Sequence, residues 1–158
     1  MHRSSHLAVA AAIGSCVLAF AALASARPGA ADGRILSKVL RWDEAASSRD
    51  RWGEMRKYFT GEGHGVKDLF TAVAVIKPGE ALHKAHRHAE EEFLFIAEGS
   101  GTWHLNGKDL PLRKGDILYV EPWIAHGFTN TGSEPVTFFV IKWNGKGVPV
   151  PQEPASGR

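Results

Sequence analysis

From residue 69 onward the chain is a series of short runs rich in Val, Ile, Phe and Thr, separated by Gly, Pro and Asn, and this pattern limits what it can fold into. The runs cover residues 69–76, 82–88, 91–97, 101–105, 108–112, 116–120, 125–129 and 136–143. None has the length or the helical period of a buried helix, so each reads as a strand. Asn106-Gly107, between two of them, is the dipeptide that a type I′ hairpin turn requires, because both central residues take positive φ. Many short antiparallel strands with hairpin turns make a sandwich or a barrel, and closure removes the unpaired edges through which open sheets aggregate. The fold class is all-β.

The flanks are less regular. Residues 35–42 read as a first strand, residues 43–65 show no clear period, and residues 144–158 alternate Gly, Pro and Val as an extended or disordered tail. At the start, Arg3 precedes an alanine-rich apolar run, and Ala24-Ser25-Ala26 closes it before Arg27. A basic start, an apolar centre and a small-x-small end are the layout of a signal peptide cleaved after Ala26. The alternative is an uncleaved membrane anchor, for which alanine, Gly14 and Ser15 make the run weakly apolar. The expected organisation is a signal peptide over 1–26, a leader over 27–34, a barrel domain over 35–143 and the tail, in an exported protein with no stable membrane insertion after cleavage.

Cys16 is the only cysteine and lies in the removable segment, which excludes disulfides, thiolate metal sites and cysteine nucleophiles from the mature chain. The net charge of +2 falls to about +1 without Arg3, with basic and acidic residues interspersed, so no nucleic-acid footprint is present.

The chemistry concentrates at His86-Arg87-His88-Ala89-Glu90-Glu91-Glu92. On a strand, two histidines two apart face the same way, so His86 and His88 can present imidazoles to one ion. Glu92 adds an oxygen ligand, and His126 opens a later run. Three imidazoles and a carboxylate suit Mn, Fe, Ni, Cu or Zn, with positions left for water or substrate. Taken alone, His86-x-His88 is weakly specific and equally describes a surface pair.

The joint spacing resembles the cupin family, whose motifs are G-x5-H-x-H-x3,4-E-x6-G and G-x5-P-x-G-x2-H-x3-N on a jelly-roll β-barrel. His86, His88, Glu92 and Gly99 fit the first motif, and this spacing selects Glu92 over Glu90 and Glu91. Gly115, His126 and Asn130 fit the second, and the likeness runs over residues 69–143. Three positions depart from it. Gly79 lies one residue too far from His86, which implies a longer loop before that histidine. Glu121 replaces the second motif's proline, with Pro122 displaced by one, and Trp123 replaces its glycine, which implies a reshaped turn before His126.

With Glu92 facing inward, strand parity turns Leu94 and Ile96 in and Phe93 and Phe95 out. Leu94, Ile96, Trp103 and Trp123 are the candidate pocket residues. Leu94, Ile96 and Leu105 also read as core, Trp103 as core or pocket wall, and Trp123 as a lid or an exposed ring at the mouth. His64, His83 and His104 have no partner spacing. Apolar residues on both faces of 91–97 point to a homodimer, as does the family resemblance.

The resemblance implies a metal-dependent enzyme of the oxygenase, isomerase or lyase type acting on a small organic molecule, with Glu92 a permanent ligand or a base. The alternative is a non-catalytic protein that binds a metal or small ligand in the same pocket. With no twin-arginine pair before the apolar run, the metal is acquired after export, where copper and zinc compete best for a nitrogen-rich site.

Overall fold

The computed structural model describes residues 34–155; the expected signal peptide, nearly all of the leader and the last residues of the tail lie outside them. Among the described residues there are nine strands and no helix. They are β1 (Ala46–Asp50), β2 (Gly53–Gly61), β3 (Val66–Ile76), β4 (Glu91–Glu98), β5 (Ser100–Leu105), β6 (Lys108–Arg113), β7 (Ile117–Val120), β8 (His126–Thr129) and β9 (Val136–Gly145). They form an antiparallel six-stranded sheet, β1-β2-β3-β9-β4-β7, and a three-stranded sheet, β6-β5-β8. This is the all-β jelly-roll barrel expected.

Alternation builds the core. Ala72, Ala74 and Ile76 of β3, Leu94 and Ile96 of β4 and Val136, Phe138 and Val140 of β9 face inward from the large sheet, and Trp103 and Phe128 meet them from the small one. The positions between them face out, so Phe95, Ile117, Tyr119 and Phe139 are exposed and Phe93 stacks on Trp143 at 5.7 Å. No described segment covers this apolar outer face, on which the homodimer expectation rests. Asn106 and Gly107 both have positive φ between β5 and β6, as the hairpin requires.

Two expected strands are absent. Residues 35–42 make no strand: Arg34 forms a single bridge to Glu62, and Leu36 and Val39 are exposed, so the apolar pattern there has no sheet to pair with. The first sheet strands arise instead from the segment without a period. β1 is exposed throughout and so has no apolar face to alternate, and a bulge between Lys57 and Thr60 breaks the parity of β2.

The second absence shapes the site. Residues 82–88 are not a strand; the chain touches the free edge of β8 at two isolated bridges, Ala81 with Thr129 and His86 with His126. It has four residues between those bridges where β8 has two, so two are in excess and 82–85 loop out. Gly127 admits the returning chain, since a Cβ there would meet the Ala85 Cα at 3.0 Å. This is the longer loop implied by the displaced Gly79.

Candidate metal centre

Glu92 reaches the interior because β4 parity places it on the same side as Leu94, and it is buried. His126, also buried, opens β8 from the facing sheet. Its Nδ1 lies 2.7 Å from the Ile124 carbonyl. A carbonyl only accepts, so Nδ1 carries the proton and Nε2 presents a lone pair. That Nε2 is buried, has no hydrogen-bond partner and lies 3.7 Å from Glu92 Oε1.

His88 repeats the arrangement. Its Nδ1 donates to the Glu90 carbonyl at 3.0 Å, and its Nε2 lies within hydrogen-bond reach of Glu92 Oε2 at 3.2 Å. His86 is held by its backbone, which exchanges two 2.9 Å hydrogen bonds with His126, and its Nδ1 is buried without a partner. The nitrogens of His86, His88 and His126 lie within 4.8 Å of one another.

Lone pairs pointed at a carboxylate repel unless a cation stands between them. A proton is disfavoured on His86 and on His126. Burial, then the neighbouring His83, His126 and His88, push the His86 pKa down to about 4 against the pull of Glu92. Burial also lowers that of His126, although its bond to Ile124 and the Glu92 charge oppose the shift. Three clustered histidines beside a buried carboxylate fit a divalent metal ion, and His86, His88, Glu92 and His126 would hold it.

The supports come from more distant residues. Asn130, fully buried at the end of β8, donates to the carbonyls of Ile76 and Glu134 at 2.9 Å each and accepts from the Gly132 N–H at 3.0 Å. It ties the strand that starts at His126 to the end of β3. On the other side, the Trp123 N–H donates to the His88 carbonyl at 2.8 Å.

A cavity of about 50 Å³ adjoins Glu92 and His126, bounded by Leu82, His83, Leu94, Trp103 and Phe138 among others. Leu94 and Trp103 thus line it, with Trp103 also a core residue stacked on His126 at 5.6 Å. Ile96 does not; it is buried one step deeper along β4 and packs only in the core. Trp123 does not either, nor is it a lid over this cavity, because its indole turns outward and donates to the Pro151 carbonyl at 2.8 Å.

His83 is the residue that spacing missed. The looped-out chain puts its ring 4.1 Å from that of His86, edge-on, and makes it a wall of both the inner cavity and a polar basin outside. The signal for it was the surplus residue between Gly79 and His86. His104 is a cross-strand polar residue, 2.6 Å from Asp109 and 2.8 Å from Thr129, and His64 lies 3.1 Å from the Arg34 guanidinium. Neither belongs to the cluster of His86, His88 and His126.

Comparison with known proteins gives the family and the fold. The cupin domain profile matches residues 72–142. Protein SchB of Streptomyces halstedii is 30% identical over 96 residues, which are 61% of this chain and 70% of SchB. A gentisate 1,2-dioxygenase from Streptomyces is 32% identical over 81 residues, 51% of this chain but 22% of the dioxygenase. Among solved structures, a predicted oxalate decarboxylase from Thermotoga maritima superposes with a TM-score of 0.57 at 26% identity, covering 67% of this chain and 98% of that one.

Proposed function

Because this chain belongs to the cupin family, we propose that it holds one divalent transition metal and is a metal-dependent enzyme, of the oxygenase, isomerase or lyase class, acting on a small organic molecule. The observation that carries the reading is the convergence of the His88 and His126 Nε2 atoms on the buried Glu92 carboxylate. The ion, when bound, supplies Lewis acidity or redox chemistry at substrate oxygens. The chain's own residues do the rest. The Ile124 and Glu90 carbonyls fix the tautomers of His126 and His88, and Glu92 Oε1 and Oε2 bind the ion or take up a substrate proton. Leu94, Trp103 and Phe138 exclude water, which strengthens the site's field on developing charge. The likeness to a gentisate dioxygenase places hydroxybenzoic acids first among the substrates to try, and the likeness to a predicted oxalate decarboxylase places dicarboxylic acids second.

The size of the cavity favours a second reading. About 50 Å³ takes an ion and a few waters but no organic substrate, unless the Leu82–His83 wall moves. A protein that only sequesters metal or a small ligand would have the same ligands and this closed wall.

Glu92→Gln in protein reconstituted with manganese, iron, nickel, copper or zinc separates the two. An enzyme loses at least about 100-fold in turnover, while metal content, read by mass spectrometry, falls far less, because the amide keeps an oxygen ligand but no charge or proton-accepting role. If no hydroxybenzoic or dicarboxylic acid is consumed with any of these metals while one binds saturably, the binding reading replaces the enzyme.

A further inference from the structure

After β9, Gly147 takes φ +73 and turns the chain back, so that Val148 packs over Gly145. Beyond it, Pro149 and Pro151 lie in an extended segment with no regular pairing. Each proline fixes φ near −65°, so little chain entropy is lost when such a segment docks. The tail is ordered against the rim of the barrel, and does not trail away from it. It forms one wall of a cavity of about 270 Å³ whose other side is Ala89, Glu91, Pro122 and Trp143.

Two contacts tie it to the metal-ligand segment. The Pro151 carbonyl accepts the Trp123 indole N–H at 2.8 Å, and Glu153 lies 3.9 Å from Arg87, between the two rim histidines. Trp123 faces both ways, since its backbone N–H holds the His88 carbonyl at 2.8 Å. It does so at φ +66, a conformation that costs a residue with a side chain about 1–2 kcal/mol and glycine almost nothing. A strained residue kept where glycine would fit points to a task for its side chain, and the indole makes one polar contact, to the tail.

We propose that residues 148–153 are a strap for the segment carrying His86 and His88, and that Trp123 is the positioning residue that passes the strap's hold to the His88 backbone. The proposal rests on the metal-centre reading for its functional meaning, but the mechanical link can be measured without metal. The open space under the strap leaves it weakly packed, so its hold depends chiefly on the Trp123 hydrogen bond, the Arg87–Glu153 pair being long and exposed.

The test compares wild type with Trp123→Phe, which keeps a ring at the same φ but loses the N–H, and with the chain truncated after Gly147. In metal-free protein, hydrogen exchange of the Trp123 and His86 amides is expected to quicken about fivefold in Trp123→Phe, the worth of one hydrogen bond, and at least as much in the truncated chain. In zinc-loaded protein, release to a chelator quickens by a similar factor in both. Thermal stability hardly changes, because the strap contributes nothing to the core cluster. Exchange and release equal to wild type in both variants overturn the strap. Failure of the wild type to bind zinc, manganese, iron, nickel or copper overturns the metal-centre reading instead, and the exchange rates still decide the strap.

Discussion

Two halves of the candidate site are built differently. Glu92 and His126 are strand residues, buried, facing each other from two sheets, with their directions set by ladder register and by the Asn130 anchor. His86 and His88 lie on an irregular segment that meets β8 at one bridge and needs Trp123, and through it the tail, for further support. The first half is fixed by the same alternation that builds the core. The second is assembled from individual hydrogen bonds and can shift without disturbing the fold. A site with one rigid and one adjustable side can close around an ion that arrives after folding.

The largest expected effect tests that contrast directly. His126→Ala should weaken metal affinity by more than about 100-fold, whereas His86→Ala, on the adjustable side, should cost about tenfold as neighbouring chain or water compensates. Competitive titration against a chelator measures both; equal losses would mean that the two halves are equally fixed.

A smaller effect concerns pH in the metal-free protein. The folded His86 pKa, about 4, lies below its ordinary 6.5, so the unfolded chain binds the proton first and stability rises with pH across that window. Stability should be fullest above pH 6.5 and fall as the pH drops toward 4. The loss is about 1–2 kcal/mol once solvent screening of the partly exposed ring is allowed for. Thermal melts from pH 7 to 4.5 should show a shallower acid limb in His86→Gln, and an unchanged limb would place the proton uptake elsewhere.

The smallest effect isolates strain on the adjustable side. In the chain truncated after Gly147 the Trp123 indole has no tail to bind, and Trp123→Gly should then stabilise the fold by about 1 kcal/mol in urea titration. A loss of stability there would show that the ring is held by more than the tail.

The same division governs what could be read in the sequence. Strands β3, β4, β5, β7 and β9, the inward Glu92 and Leu94 and the outward Phe93 and Phe95 were legible because each of these strands buries one face, which writes a period of two into the residues. By contrast β6, almost wholly exposed, and β8, buried on both faces, were legible from the turn residues that bound them. The metal-ligand candidates were legible through motif spacing. The strand pair β1 and β2 was not, because β1 buries no side and the bulge in β2 interrupts its alternation. Reading residues 82–88 as a strand failed for a different reason. Its apolar and polar residues resemble a strand, but pairing depends on equal spacing on both chains, and the partner β8 is two residues shorter between the bridges. His83 became a neighbour of the site only through that mismatch. Nor could the docked tail be foreseen, since Pro and Val in alternation have the same composition whether they lie on a barrel or in solvent.

That mismatch also bears on how such a molecule can vary. The Ala81–Thr129 and His86–His126 bridges act as two stops, and any change in length between them is absorbed locally. An insertion within one of the paired strands would slide that strand by one residue and turn its core face outward. Between these stops, residues can be gained or lost while Glu92, His88 and His126 stay where they are. The chain therefore has a place beside its candidate metal centre where new side chains can be tried by lengthening, without risk to the barrel that carries them.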